Sequence, residues 1–190
     1  MITIYTDGGC DPNPGPGAWA FSVFEEGESY YDQSGFDQQT TNNRMELMAI
    51  LKAMTFIYDE RIDIPVQICS DSSYGINSIT KWMDRWASRG WRDVKNPDLM
   101  RSLYRLRNAL PNISFTHVRG HSGIPGNNYV DRLCTLKMRQ EHKIQKKEKA
   151  AAKQKAKEGK VNSYKKPKKR KKTYKSPSAE IKRYKPWSKE

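Results

Sequence analysis

The first forty residues alternate short apolar runs with turn-forming clusters. Ile2-Thr3-Ile4-Tyr5-Thr6-Asp7-Gly8-Gly9 opens on β-prone residues and ends in a carboxylate and two glycines, the pattern of a strand running into a break. Asp-Gly is also a strong hairpin signal, and a plain turn is the simpler reading of the stretch taken alone. Against a tight hairpin, the next apolar run, Ala18-Trp19-Ala20-Phe21-Ser22-Val23-Phe24, begins only after a Pro/Gly loop from Cys10 to Gly17. That run reads as a second strand. The acidic turn Glu25-Glu26-Gly27-Glu28 and a more polar third strand over about 29–36 follow.

From Thr40-Thr41-Asn42-Asn43, which offer helix N-cap oxygens, the period changes. Leu47, Ile50, Leu51, Met54, Ile57 and Tyr58 recur at helical spacing and predict an amphipathic helix. Val66-Gln67-Ile68-Cys69-Ser70 predicts a fourth strand, ending at Asp71 where another helix begins. Ile76, Ile79, Trp82, Met83 and Trp86 mark a helical run across 74–91. Pro97 opens a helix over about 98–109 with Leu99, Leu103, Leu106 and Leu110 facing inward. Residues 113–118 predict a fifth strand. Beyond the loop from Arg119 to Asn127, a final helix carries Val130, Leu133 and Cys134 on its apolar side.

Charge divides the chain in two. Of 190 residues, 35 are Lys or Arg and 21 are Asp or Glu, a net charge of +14; residues 141–190 hold 20 of the basic and 5 of the acidic ones. Residues 1–140 are therefore near neutral and long enough for one domain with its own core. The remainder, 141–190, has too little apolar surface to offset its ordering entropy and reads as a basic tail, disordered or helical. Residues 138–158 would prolong the last helix until Gly159, polar all round. Beyond it Tyr164, Tyr174 and Tyr184 recur at ten-residue spacing, each followed by lysine and then proline. Aromatics interleaved with cations suit a non-specific tether to nucleic acid; a solubilising low-complexity tail is the plainer alternative.

The three cysteines, Cys10, Cys69 and Cys134, lie far apart and form no Cys-x-x-Cys pair, so neither a zinc site nor a disulfide framework is indicated. A reducing, cytoplasmic setting is the simplest inference from them; with no apolar leader and no long apolar run, the protein is expected to be soluble and without a membrane partner, and a monomer is expected. Lys168-Lys169-Arg170-Lys171-Lys172 would read as a nuclear-import signal in a eukaryotic host.

Four carboxylates then stand out by position: Asp7 and Asp71 at strand ends, Glu46 and Asp131 near helix starts. Each has an ordinary explanation as a turn residue, a cap or a complement to a helix dipole. Together they suit a metal site, because ligands in α/β sheets bind at the carboxyl ends of strands. All-oxygen donors favour Mg²⁺ or Mn²⁺. Two such ions about 4 Å apart activate water and stabilise a leaving oxygen in phosphodiester cleavage. His121, in a glycine-containing loop, is a candidate proton carrier, although a plain surface histidine is the commoner case. Trp82 and Trp86, set among Lys81, Arg85, Arg89 and Arg92, read equally as core or as a stacking surface for nucleic acid.

These segments resemble type 1 ribonuclease H. The resemblance runs through Tyr5-Thr6-Asp7-Gly8-Gly9-Cys10, Asn13-Pro14-Gly15-Pro16-Gly17, Thr41-Asn42-Asn43-Arg44-Met45-Glu46-Leu47, Ser70-Asp71-Ser72-Ser73-Tyr74, Gly120-His121-Ser122-Gly123 and Asn127 to Asp131. It covers residues 1–140. It implies an α/β fold, a mixed five-stranded sheet flanked by helices. It also implies hydrolysis of the RNA strand of RNA–DNA hybrids, leaving 3′-hydroxyl and 5′-phosphate ends. Asp7, Glu46, Asp71 and Asp131 match the family's acids for two Mg²⁺ ions, and His121 its mobile-loop histidine. Cys10, Asn13, Asn42 and Asn43 match positions against the hybrid, where the 2′-hydroxyl tells RNA from DNA. The stretch from Trp86 to Pro97 is shorter and less basic than the lysine-rich protrusion of bacterial members, so the tail is expected to supply the missing cations. A catalytically silent hybrid-binding module and a related nuclease with other substrates are the alternatives.

Overall fold

The computed structural model describes residues 1–163, with side chains through residue 157. Three strands, β1 (Ile2–Cys10), β2 (Gly15–Glu25) and β3 (Glu28–Thr40), form an antiparallel meander. Helix α1 (Asn42–Asp59) then leads to β4 (Val66–Ser70), which lies parallel to β1. After α2 (Ser73–Asn77), a π turn (Ser78–Trp82), α3 (Met83–Ser88) and α4 (Pro97–Ala109), strand β5 (Ile113–His117) pairs parallel to β4. Helix α5 (Pro125–Ser163) follows. The sheet order is β3-β2-β1-β4-β5, the mixed five-stranded sheet that the sequence implied. The chain divides into a compact body, Met1–Glu148, and a second unit, Lys149–Glu190, helical over its described residues. The tyrosine–lysine repeat and the basic run 168–172 lie outside the described residues. No helix among those described is long and apolar enough to cross a membrane.

Strand alternation sorts the side chains to two faces. Ile2, Ile4, Phe21, Val23 and Ile68 pack with Leu47, Ile50, Met54 and Ile57 of α1 and Leu99 and Leu103 of α4. On the other face Ala18 and Ala20 meet Val130 and Cys134 of α5; such small strand residues let a helix approach closely. Tyr58, expected on the apolar stripe of α1, is 55% exposed instead. It stands in the last turn, beyond the reach of the sheet.

Three boundaries differ from the sequence expectation for identifiable reasons. Strand β1 does not stop at Asp7: Gly8, Gly9 and Cys10 continue it opposite Trp19, Ala18 and Gly17. Gly8 is there for close approach, since a Cβ on it would lie 2.2 Å from the Met45 carbonyl carbon and 2.3 Å from the Glu46 nitrogen. The first turns of α1 therefore rest directly on bare β1 backbone. The run 74–91 is not one helix, because the π turn at Ser78–Trp82 interrupts it. Finally, α5 passes Gly159 and extends to Ser163. Gly8→Ala should lower stability by about 3 kcal/mol or more, since backbone has nowhere to move in a packed core. A urea midpoint within error of the parent would show that α1 can lift off β1.

Candidate active site

The parallel pairing of β1 and β4, with Thr6 opposite Ser70, brings Asp7 and Asp71 side by side in the middle of the sheet. Gly8 turns toward α1, so its neighbour Asp7 points to the opposite face, the one that α5 covers. Asp71 directly follows β4. Gly120 lies close beside it: a Cβ there would sit 2.9 Å from Asp71 Oδ2, so a side chain would push on the carboxylate. Asn127 Nδ2 donates to that same oxygen at 3.2 Å. Asn127 is 2% exposed, and its own Oδ1 is buried without a hydrogen-bond partner among the described residues.

Glu46 arrives from the first turns of α1, whose N-cap Thr41 accepts from the Arg44 N–H. Both of its oxygens are held. Asn42 Nδ2 donates to Oε1 at 2.8 Å, and Ser72 Oγ donates to Oε2 at 2.5 Å. Asp131, on α5, stands 3.9 Å by its Oδ2 from His121 Nδ1, with side-chain exposures of 44% for Asp131 and 88% for His121. His121 has a φ of 52°, a left-handed conformation uncommon for a residue with a Cβ.

The carboxyls also feel one another's charge. The Asp7 carboxyl is pushed up to about 7, first by burial, then by the charges of Asp71 and Asp131, and slightly by Glu46, against a lowering hydrogen bond from Gly8. Glu46 is also raised, by burial and by Asp71, with the Ser72 hydrogen bond opposing. Cys134 lies against the same pocket, its thiol driven far up by burial and then by Asp7. Asp7 thus senses all three of the other predicted acids. Among the described residues no three His, Cys, Asp or Glu side chains are closed up as a metal cage. The acids stand near enough for their charges to raise Asp7 without closing on one point.

Beside the acids lies a polar wall. The Cys10 N–H donates to Asn42 Oδ1 at 3.2 Å, and the Asn42 N–H to Asn13 Oδ1 at 3.2 Å. Asn42 is therefore a joint between this wall and Glu46. Asn13, Thr41, Asn43, Lys95 and Asn96 line a cleft of about 420 Å³. The tryptophans settle between their two readings. Trp86 packs partly against the core, Trp82 is 39% exposed, and their rings lie 5.6 Å apart. Ser72 and Asn127 were not singled out as site residues by sequence reasoning. Their only sequence signal is a place inside motifs that carry an acid.

The RNase H family profile matches residues 1–139. Over 142 residues the chain is 43% identical to a protein named Ribonuclease H from Granulibacter bethesdensis, covering 71% of this chain and 90% of that one. The chain belongs to the ribonuclease H family. The Ribonuclease H of Methylorubrum extorquens is also 43% identical, over 141 residues that are 72% of this chain but 60% of that protein. Among solved structures, LC11-RNase H1 in complex with RNA/DNA hybrid is 25% identical with a TM-score of 0.58, covering 74% of this chain and 98% of that one. LC9-RNase H1, described as a type 1 RNase H with the type 2 active-site motif, is 26% identical with a TM-score of 0.64, covering 72% of this chain and 71% of that one. Membership of the ribonuclease H family makes the chain an enzyme, a ribonuclease H.

Proposed function

We propose that this ribonuclease H cuts the RNA strand endonucleolytically with two divalent ions, Mg²⁺ or Mn²⁺, leaving 3′-hydroxyl and 5′-phosphate ends. One observation carries the reading: the Asp7 carboxyl, half-buried within β1, is raised first by burial and then by the nearby charges of Asp71, Asp131 and Glu46. Hard carboxylate oxygens that repel one another are a donor set that a hard divalent cation relieves, so the residues present fit the metal. Asp7, Glu46, Asp71 and Asp131 would hold it, and it would supply an activated water and charge stabilisation at the leaving oxygen.

The chain's own groups do the rest. Asn127 and Ser72 orient Asp71 and Glu46 through their hydrogen bonds, which fixes where the acid oxygens point before substrate arrives. His121, exposed and beside Asp131, moves a proton at the edge of the site or eases product release. Cys10, Asn13, Asn42 and Asn43 form the RNA-facing wall, where polar groups meet 2′-hydroxyls. Trp82 and Trp86 offer stacking or sugar-packing surface for the second strand. The same reading takes the enzyme to be a cytoplasmic monomer.

Digesting a strand-labelled hybrid with and without Mg²⁺ tests this directly. The expected products are short RNA fragments with 5′-phosphates, formed only with metal, from an uncut DNA strand. Comparable cutting of plain DNA or single-stranded RNA would overturn the substrate assignment.

The tail is part of the same proposal. Its cations replace those missing from the stretch 86–97 and hold hybrid by non-specific phosphate contacts. Removing residues 149–190, which leaves the compact body Met1–Glu148 whole, should raise the apparent KM and flatten the salt dependence of binding. Affinity that is unchanged at every salt concentration would remove the tether while leaving the nuclease intact.

A further inference from the structure

The two tryptophans are carried by an irregular piece of helix. Trp82 is the last residue of the π turn and Trp86 lies one turn on, in α3. A π turn inside a helix is rare and is frequently found at functional sites. Here the Met83 N–H reaches back to the Ser78 carbonyl. Buried Ser78 Oγ has no hydrogen-bond partner among the described residues. Within the turn the Thr80 hydroxyl donates to the Ile76 carbonyl at 2.7 Å, and a residue from another helix adds a second tie.

That residue is Arg107 of α4. Its Nη1 donates to the Ile79 carbonyl, inside the π turn, at 2.9 Å. The same guanidinium forks onto Asp84, in the first turn of α3, through Nη1 and a short contact from Nη2. Its planar group also lies 5.3 Å from the Tyr104 ring centroid, and its side chain is only 21% exposed. One fork therefore bridges the two helical pieces on either side of Trp82. Lysine has the charge but not the geometry to do this, being a point donor on a flexible stem.

We infer that Arg107 is a positioning residue for hybrid binding: by clamping Ile79 and Asp84 it sets the angle at which Trp82 and Trp86 are presented to the nucleic acid. The inference rests on the proposed role of that tryptophan pair. Arg107 does not touch the acids, so its removal should act on substrate capture and leave the chemical step alone.

Steady-state kinetics on full-length protein test it, with four variants: Arg107→Ala, Arg107→Lys, the double variant Trp82→Ala/Trp86→Ala, and the triple combination. Losing a base stack raises KM roughly tenfold, so the tryptophan double variant sets that scale. Arg107→Ala should raise KM by about fivefold with kcat within about twofold of the parent, a part of one stacking contact. Arg107→Lys should recover less than half of that loss. In the tryptophan-free background, Arg107→Ala should add nothing, because a residue that acts through the rings has no rings to act on. Hybrid should also quench the tryptophan emission of Arg107→Ala less than that of the parent at saturation.

Two results would overturn the inference. An Arg107→Ala effect that persists undiminished without the tryptophans, or that lowers kcat in step with thermal stability, would make Arg107 a purely structural residue. A tryptophan double variant with unchanged KM would remove the stacking surface itself, and the clamp's role with it; that failure is read from the double variant alone, separately from Arg107. If Arg107→Ala does not fold, Arg107→Lys carries the comparison, and full KM recovery by lysine would likewise count against the fork.

Discussion

Asp71→Asn is expected to abolish RNA cleavage while leaving hybrid binding within a few-fold of the parent. Asparagine keeps the shape of the side chain and its place beside Asn127 Nδ2 and Gly120, so the fold has little reason to change. What goes is a negative charge that raises both Asp7 and Glu46. Neutralising it weakens the grip on any divalent cation and the stabilisation of charge in the transition state. A loss of about a thousandfold or more in kcat corresponds to roughly 4 kcal/mol of barrier. In the proposed mode binding is carried by the asparagine wall, the tryptophans and the tail, so losing the Asp71 charge should leave it largely intact. Single-turnover cleavage beside a filter-binding titration separates the two quantities. Residual activity within about tenfold of the parent would mean that Asp71 is not one of the metal-holding acids. Lost binding would show instead that it supports the substrate surface.

Asp7→Asn should also be inactive, and in metal-free buffer it should be more stable than the parent. The folded-state carboxyl titrates at about 7, up from 3.8. Below pH ~4 the group is protonated folded or unfolded, and the two proteins should be alike in this respect. Between ~4 and ~7 the folded parent retains a proton that the unfolded chain has released. Its stability therefore falls as pH rises through that window, and the uncharged amide of the variant has no such slope. A full shift of about three units would be worth roughly 4 kcal/mol, and water reaching this partly exposed site reduces it to about 1–2 kcal/mol. Urea midpoints in EDTA at pH 5 and pH 8 give the measurement. The variant's advantage should widen at pH 8 and shrink when Mg²⁺ is added, because the cation binds and stabilises only the parent. A variant less stable than the parent at pH 8 without metal would show that the four acids do not repel one another as a cluster.

Much of this protein was readable as a string. Period-two and period-3.6 patterns placed five strands and the main helices, because each element must bury one face and its residues repeat accordingly. The meeting of two acids was readable too. Asp7 and Asp71 each terminate an apolar run, and parallel strands put such ends together. The N-cap run Thr40 to Asn43 set Glu46 near the start of a helix, and the family resemblance singled out Asp131. Charge counting divides the chain at 140/141, whereas the compact body runs on to Glu148, because α5 carries the chain past the charge boundary. The turn residues were less readable. Gly8 follows an aspartate as it would in a hairpin, and the sequence has no means of showing that another backbone lies 2.2 Å from where its Cβ would be.

Tertiary structure decided what depends on partners distant along the chain. The π turn at Ser78–Trp82 is invisible to helical periodicity, which Ile76, Ile79, Met83 and Trp86 satisfy either way; its Ile79 carbonyl meets Arg107 across 28 positions. Ser72 and Asn127 count as site residues only because folding sets them against Glu46 and Asp71, across 26 and 56 positions. The proton affinity of Asp7 has the same origin. A lone aspartate on a strand is an ordinary acid, and only burial beside three other carboxylates raises it. Local pattern is written in neighbouring residues, whereas electrostatics and close approach are properties of surfaces that do not exist until the chain has folded.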